Sequence, residues 1–237
     1  MTRGCHLLLA WLFVWALIAP VGLTAQKPAP EREPKQLQGQ PAPGNADAWE
    51  SLRAVRADLA EAGTLQANFT QTYVPAGFTS GEKESGKLAL ALPDCLRWDY
   101  QDPYPKSFLL CGGNAWAWNP QDKTGRRYGV DRKTEPGLDL LLLGVDDLKT
   151  RYKASARSLD GGRTEISLAP KAKISPIKDA VLVVEGKGAA GDRRLVQVSY
   201  RDGEGNQTRF DLGDYREMPR RGTTFSPPTG IKWEDER

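Results

Sequence analysis

The sequence predicts a mainly β fold with helices, in which many short antiparallel strands form a meandering sheet or a barrel. An amphipathic helix comes first, and after it the spacing of apolar residues changes from three and four to two, the period of β-strands. Turns such as DGG, GEGN, GGN and GDRR separate the short alternating segments that follow. Short strands at regular spacing are typical of antiparallel sheets and barrels.

Residues 1–25 are predicted to be a secretory signal peptide. A basic start at Arg3 leads into an apolar run from position 7 to 18, Pro20 breaks the run, and small residues follow up to Ala25. The apolar run is short for a membrane-spanning helix, so an uncleaved anchor is the lesser alternative. No cysteine follows the expected cleavage point, so we expect an exported, soluble chain without lipid at its new N-terminus, near Gln26.

Residues 26–45 are rich in proline, glutamine and charge, and they lack an apolar pattern. This composition is typical of a flexible, partly extended linker. The folded domain is therefore expected to occupy residues 46–237, a length that allows one domain with a sizeable core.

The first element of this domain is predicted to be a helix over residues 46–63. Asn45 or Asp47 can cap its start, and Gly63 ends it. One face carries apolar residues at three- and four-residue spacing: Trp49, Leu52, Val55 and Leu59. Strands are then predicted at 65–73, 86–92, 95–100, 107–111, 114–118, 126–130, 151–157, 164–168, 180–185, 193–200, 207–212 and 223–226.

The segment from Asp94 to Cys111 is predicted to be a hairpin whose turn centres on Pro103. In this register Cys95 lies opposite Cys111, and the Leu96–Leu110 and Trp98–Phe108 pairs share the other face. Opposed residues have Cβ atoms roughly 4.5–5.5 Å apart, and a disulfide needs about 3.5–4.5 Å, so the two distances nearly match. Because exported proteins meet an oxidising compartment, a Cys95–Cys111 disulfide is favoured over two free thiols.

A second, unusual helix is predicted between Pro136 and Gly144. Five leucines cover every side of it: Leu138, Leu140, Leu141, Leu142 and Leu143. A surface helix should have a polar face. This helix is therefore either a plug in the core or a cover over something apolar that comes and goes.

Composition excludes several classes of function. His6 is the only histidine of the chain and lies in the predicted signal peptide, so a Ser-His-Asp triad, a Cys-His pair and a His-ligated zinc site are excluded from the mature protein. The two cysteines that remain cannot form an all-cysteine zinc site. The chain has 33 Lys+Arg and 30 Asp+Glu with both signs interspersed, which gives no basic stripe for nucleic acid. No G-x-S-x-G nucleophile elbow is present.

Several motifs together resemble the LolA family of periplasmic outer-membrane lipoprotein carriers. In family order they are LQANFTQ, GKLALALPDCLRWDY, SFLLCGGNAWAWNP, SLAPKA and TTFSPPTGI, which cover the chain from about Ala46 to the C-terminus. The resemblance implies an incomplete antiparallel β-barrel (a half-barrel) covered by a helical lid. It also implies no cofactor, no metal and no bond chemistry.

The resemblance further implies a function. Such carriers accept lipoproteins that an inner-membrane ABC transporter releases, shield the acyl chains in the periplasm, and deliver them to an outer-membrane receptor. We expect this chain to be a carrier of this kind and to act as a monomer. The cavity-lining residues it predicts here are Leu90, Leu96, Trp98, Phe108, Leu110, Trp116 and Trp118, and the lid is Leu138 with Leu140, Leu141, Leu142 and Leu143. An ordinary packed core is the alternative for the same residues.

One family feature is absent. In well-known members an arginine directly precedes the strand-entry proline and helps to hold the lid shut, whereas Leu92 occupies that position before Pro93 here. The nearest arginine, Arg97, lies on the cysteine face of the predicted hairpin. This departure leaves open a carrier of another lipid. A lipoprotein-sensing module built on the same half-barrel is a further alternative, but such a sensor is expected to carry a second domain, and the single-domain length argues against it.

Overall fold

The computed structural model of the chain describes residues 47–131, 137–142, 144–186, 191–219 and 224–235. The predicted signal peptide and linker lie outside the described residues. None of the helices within these ranges is long and apolar enough to cross a membrane.

Helix α1 spans Ala48–Glu61, as the sequence predicts. The Asp47 side chain caps it by accepting a 2.9 Å hydrogen bond from the Trp49 amide, and Gly63 follows it with a φ of 74°, which favours glycine. The apolar face formed by Leu52, Val55 and Leu59 is buried. Burial of this face holds the helix against the sheet.

Within the described ranges, twelve strands form one open sheet, which confirms the predicted fold class. They are β1 (Leu65–Val74), β2 (Glu82–Ala91), β3 (Cys95–Asp102), β4 (Lys106–Cys111), β5 (Asn114–Asn119), β6 (Thr124–Gly129), β7 (Tyr152–Leu159), β8 (Arg163–Pro170), β9 (Ile177–Glu185), β10 (Arg194–Asp202), β11 (Gln207–Glu217) and β12 (Lys232–Asp235). Their order is β12-β6-β5-β4-β3-β2-β1-β11-β10-β9-β8-β7, antiparallel except for the parallel β6–β12 pair.

The two edge strands of this sheet, β12 and β7, do not pair with each other, so the described strands make an incomplete barrel. Two short helices, α2 (Leu138–Leu142) and α3 (Val145–Arg151), join β6 to β7. They pack with α1 on one sheet face, called the inner face here, where most of the hydrophobic core lies.

The C-terminal part differs from the prediction. A strand was predicted at 223–226, but residues 224–226 form a turn and a bend, and the last strand is β12. Helix α3 was also not predicted as a separate element. The two elements that were not predicted, α3 and β12, share a physical reason: each is short and largely charged, so its structure depends on packing against distant residues rather than on a local apolar period.

The hairpin of β3 and β4 has the predicted register. Cys95 pairs with Cys111, Leu96 with Leu110 and Trp98 with Phe108. The two cysteines have Cα atoms 4.3 Å apart and form the predicted disulfide. Because side chains alternate along a strand, this bridge lies on the outer face of the sheet and the Trp98–Phe108 pair lies on the inner face.

Candidate functional site

The inner face carries an apolar cleft between α1, α2 and the centre of the sheet. Leucine dominates its lining, which consists of Leu52, Val55, Arg56, Leu59, Leu88, Leu90, Leu92, Leu96, Leu140, Leu141, Leu182, Leu195, Leu212 and Tyr215. Leucine side chains have no polar group that must be satisfied, so contacts in the cleft are almost entirely apolar. Such a lining suits a hydrocarbon ligand that presents no hydrogen-bonding pattern.

The cleft is almost filled in this conformation. Its free space is about 30 Å³, which is small beside the roughly 300–1,000 Å³ of common ligand pockets. A long apolar ligand can therefore enter only if one wall moves. Helix α2 is the shortest element of that wall, with five residues between chain segments that join it to β6 and α3.

The side chains of α2 face the core to different degrees. Leu140 and Leu142 are 1% and 2% exposed, whereas Leu141 is half-buried and lines the cleft beside Leu140. Gly137, just before the helix, packs on the Tyr200 ring so closely that an added Cβ would lie 2.7 Å from it. Helix α2 therefore packs against the inner face through its apolar residues. Leu143 lies outside the described residues, and Leu138 is the first residue of α2.

One charged side chain reaches α2 from within the cleft wall. The Nη2 atom of Arg56 on α1 donates a 2.6 Å hydrogen bond to the carbonyl oxygen of Leu140. Leu92, at the position where the LolA pattern has an arginine, lies half-buried in the cleft lining. An arginine from a different element, α1, therefore contacts the helix over the cleft.

Tyr215 places a second polar group in the wall. Its hydroxyl donates a 2.6 Å hydrogen bond to the carbonyl oxygen of Leu195. Burial raises the pKa of Tyr215 well above its usual range, and the nearby Arg194 lowers it only in part. The phenol therefore stays neutral and its ring serves as apolar lining.

The structure places five of the seven predicted cavity residues on the inner face, but only two of the seven line the cleft. Leu90 and Leu96 line the cleft. Trp98 and Leu110 are buried in the inner-face core, and Phe108 is half-buried against it. These three continue the apolar surface from the cleft along β3 and β4.

The prediction that Trp116 and Trp118 share this surface is wrong. They pair with Leu109 and Ser107 of β4, so they lie on the outer face with the disulfide. The reason is the two-residue turn Gly112–Gly113, which sets Cys111 opposite Asn114 and gives even-numbered residues of β5 the face of odd-numbered residues of β4. Alanines occupy the inner-face positions of β5.

Trp118 belongs instead to a small apolar cluster on the outer face. Its ring packs edge-on against Trp233 of β12 at 6.2 Å, and the Arg97 guanidinium lies 5.2 Å from its centroid. Arg97 also donates a 3.3 Å hydrogen bond to the Thr224 carbonyl. The C-terminal segment thus covers the outer face of β3–β6.

Sequence patterns missed the cleft residues on α1 and on the far half of the sheet. Arg56, Leu182, Leu195, Leu212 and Tyr215 are the main examples. Leu182 and Leu212 lie in strands predicted with the correct period. Their place in the cleft follows from the pairing of β1 with β11, a contact between residues about 140 positions apart in the chain, which no local pattern reveals.

Two comparisons of the sequence with known proteins point to the same family. The sequence profile described as outer membrane lipoprotein carrier protein LolA matches residues 60–226. The outer-membrane lipoprotein carrier protein of Methylococcus capsulatus is 28% identical over 178 residues, covering 73% of this chain and 82% of the relative. That of Chromobacterium violaceum is 26% identical over 198 residues, covering 81% and 90%.

A solved structure supports the fold. An uncharacterized conserved protein from Thermus thermophilus superposes with a TM-score of 0.52, covering 80% of this chain and 99% of that one at 10% identity. At this identity the likeness concerns the fold alone.

Proposed function

This chain belongs to the LolA family of outer membrane lipoprotein carriers, and on that premise we propose that it binds lipoprotein acyl chains in the cleft beneath α2 and carries them from the inner to the outer membrane. Members of this family are binding proteins and not enzymes. The observation that carries the proposal is the leucine-lined cleft, whose cover is a five-residue helix with almost no polar side chain.

The need for such a carrier follows from hydrophobicity. Each methylene moved from water to an apolar site gains about 0.8 kcal/mol, so a long acyl chain left in water costs on the order of 10 kcal/mol. A lipoprotein cannot cross an aqueous compartment at a useful rate without a protein that covers its chains. A lining of leucines stabilises an acyl chain without selecting for its length or its orientation.

The small free volume supports a mechanism in which the acyl chain displaces α2. Leu140 and Leu141 of α2 line the cleft. An entering acyl chain would replace the contacts of these two leucines with its own contacts. The total apolar area buried in the cleft would therefore stay about the same. Loading and release then need little net free energy, which suits a carrier that must also unload.

In this proposal Arg56 holds the empty cleft closed. Its hydrogen bond to the Leu140 carbonyl is charge-assisted and joins α1 to the moving helix. It takes the place of the arginine that the family pattern has before the strand-entry proline. Displacing α2 breaks this bond, so only a ligand with enough apolar surface opens the cleft.

The chain is proposed to act in the periplasm after cleavage of its signal peptide, between an ABC transporter that loads it and an outer-membrane receptor that unloads it. Both partners are expected from the family.

Native mass spectrometry of the protein purified from the periplasmic fraction tests the proposal. A co-purifying triacylated polypeptide supports a lipoprotein carrier. A bound phospholipid or glycolipid would instead favour a carrier of another lipid. A protein that stays empty and fails to bind a fluorescent fatty-acyl probe would contradict both functions.

A further inference from the structure

The loops at one end of the sheet form a continuous surface, called the rim here. It consists of residues 75–81, 103–105, 171–176 and 203–206, which connect β1 to β2, β3 to β4, β8 to β9 and β10 to β11. Because these strand pairs are antiparallel and in register, all four loops emerge at the same end.

The rim carries the exposed large apolar side chains found among the described residues. Phe78 is 69% exposed, Tyr104 is 75% exposed and Ile174 is 94% exposed. Each lies in a different loop of the rim. Single exposed apolar residues are common on protein surfaces, but three on one edge of a soluble carrier indicate a shared partner.

Hydrogen bonds between neighbouring loops hold much of the rim in place. The Ala76 amide donates to the Asn206 side-chain oxygen at 2.9 Å, and the Gly203 amide donates to the Pro176 carbonyl at 2.9 Å. In the loop of residues 203–206, the backbone amides of residues 204, 205 and 206 donate hydrogen bonds to the carboxylate of Asp202. Phe78 and Ile174 therefore project from ordered loops, and little conformational entropy is lost when they bind a surface.

Cationic side chains surround Ile174. Lys171, Lys173 and Lys178 are exposed on the same loop or just after it. The nearest carboxylate on that strand, Asp179, is bound by Arg201. On the neighbouring loop, Asp202 accepts hydrogen bonds from backbone amides and Glu204 is exposed, and both keep their negative charge. The loop that presents Ile174 therefore has an excess of positive charge.

We propose that the rim binds the surface of a lipid bilayer that contains anionic phospholipid, with Phe78, Tyr104 and Ile174 entering the headgroup region and the lysines near Ile174 contacting lipid phosphates. The loops that carry Phe78 and Ile174 are four strands apart, about 20 Å at a strand spacing of about 4.8 Å. Separated apolar tips suit a fluid planar surface, whereas the centre of a protein interface is a contiguous apolar patch. This surface is distinct from the cleft.

Flotation of the protein with vesicles tests the proposal. We expect the mature chain, purified from the periplasmic fraction after removal of residues 1–25, to float with vesicles of phosphatidylethanolamine and phosphatidylglycerol, and more weakly with phosphatidylcholine alone. The double variant Phe78→Ser/Ile174→Ser should lose about tenfold or more in partitioning to both vesicles, because it removes two large inserted side chains.

The charge contribution is tested separately. Lys173→Gln/Lys178→Gln should lose about fivefold per lysine on the anionic vesicles and little on phosphatidylcholine. The matched control is Lys87→Gln/Arg216→Gln, which removes the same charge from exposed positions away from the rim and should affect flotation less. All three variants should bind a fluorescent fatty-acyl probe as the wild type does, so that failure of the cleft and failure of the rim give different results.

Two results would overturn the proposal. One is a wild-type protein that stays in the bottom fraction with both vesicles, which would leave a protein partner as the occupant of the rim. The other is flotation of the Phe78→Ser/Ile174→Ser variant equal to that of the wild type.

Discussion

The guanidinium of Arg56 donates a 2.6 Å hydrogen bond to the carbonyl oxygen of Leu140, and both residues line the same cleft. This contact joins the long helix α1 to the short helix α2 across 84 positions of sequence. A bond from a side chain to a backbone carbonyl constrains the position of α2 whatever side chains α2 carries. It therefore controls how easily the cleft opens.

Replacing Arg56 by methionine should loosen α2 without enlarging the cleft. Methionine keeps the apolar stem but removes the charge-assisted bond, which is worth about 1.5–3 kcal/mol. Opening should become about 10- to 150-fold more frequent, measured as faster amide hydrogen exchange of residues 140–142 and faster association of a fatty-acyl probe.

Arg53→Met is the matched control for this change. Arg53 lies on the exposed side of α1 and forms an ion pair with the highly exposed Asp146 at 3.5 Å. Exposed pairs contribute about 0–1 kcal/mol. Exchange rates that are equal in Arg56→Met and the wild type would mean that the hydrogen bond does not restrain α2.

The hairpin and the cleft show how far the sequence predicts this structure. The facing of Trp98 and Phe108 was predictable because alternation along β3 and β4 and a central proline turn fix the register locally. The predicted sheet face of Trp116 was wrong, because it depends on whether the turn at Gly112–Gly113 contains two residues or one. A difference of one residue moves every side chain of β5 to the opposite face of the sheet. Arg56 was not predicted as a contact of α2, because that contact depends on how distant elements pack.

The outer face provides a test of C-terminal packing. Gly125 of β6 pairs with Trp233 of β12, and a Cβ at Gly125 would lie 2.5 Å from the Trp233 ring. Gly125→Ala should therefore displace Trp233 and destabilise the domain by about 1–3 kcal/mol. Limited proteolysis should cleave near residues 224–235 earlier than in the wild type.

Gly129→Ala is a control on the same strand. A Cβ at Gly129 has no neighbour within 4 Å, and its backbone does not need glycine, so the change should be nearly neutral. Equal proteolysis of both variants would show that Trp233 adjusts without losing its contact.

Asp58 should make the domain sensitive to acid. It is buried on α1 and accepts hydrogen bonds from the amide and the guanidinium of Arg193, at 3.0 and 3.2 Å. Burial raises the pKa of Asp58, but hydrogen bonds from the amides of Gly191 and Arg193 and the charge of Arg193 lower it more, so the pKa lies below the usual 3.8. A lowered carboxyl pKa contributes stability above the unfolded-state value, and this stability is lost as pH falls through the folded-state pKa.

Asp58→Asn is therefore expected to cost about 2–3 kcal/mol of unfolding free energy at neutral pH. The difference from the wild type should shrink below about pH 4, where Asp58 of the unfolded state is protonated. Urea unfolding at several pH values measures it. Asp211→Asn, which breaks the exposed pair with Arg209, should cost at most about 1 kcal/mol. A pH-independent difference at Asp58 would contradict the role of its charge.

The Cys95–Cys111 bridge should contribute about 3 kcal/mol, since it closes a loop with a sequence separation of 16. The Cys95→Ser/Cys111→Ser variant should unfold at lower urea concentration than the wild type. Reductant should lower the wild-type midpoint to that of the variant and leave the variant unchanged. Thiol labelling of non-reduced, unfolded protein should detect neither cysteine, and labelling of both would refute the bridge.

The role of α2 is tested most directly by Leu141→Glu. Leu141 is the half-buried leucine of α2 that lines the cleft, so a carboxylate there would face an acyl chain without a compensating charge. In the empty protein the carboxylate can reach water when α2 swings outward. We therefore expect lost binding of a fatty-acyl probe with a nearly unchanged urea midpoint.

Leu148→Ala on α3 gives the opposite pattern if α2 is a movable cover. Leu148 is fully buried but does not line the cleft, so its truncation should cost about 2–5 kcal/mol of stability and leave probe binding intact in the folded protein. If α2 is instead a fixed plug, Leu141→Glu buries an unpaired charge and should destabilise the domain by several kcal/mol. A collapsed midpoint for Leu141→Glu, or unchanged probe binding in a stable variant, would defeat the proposal that acyl chains displace α2.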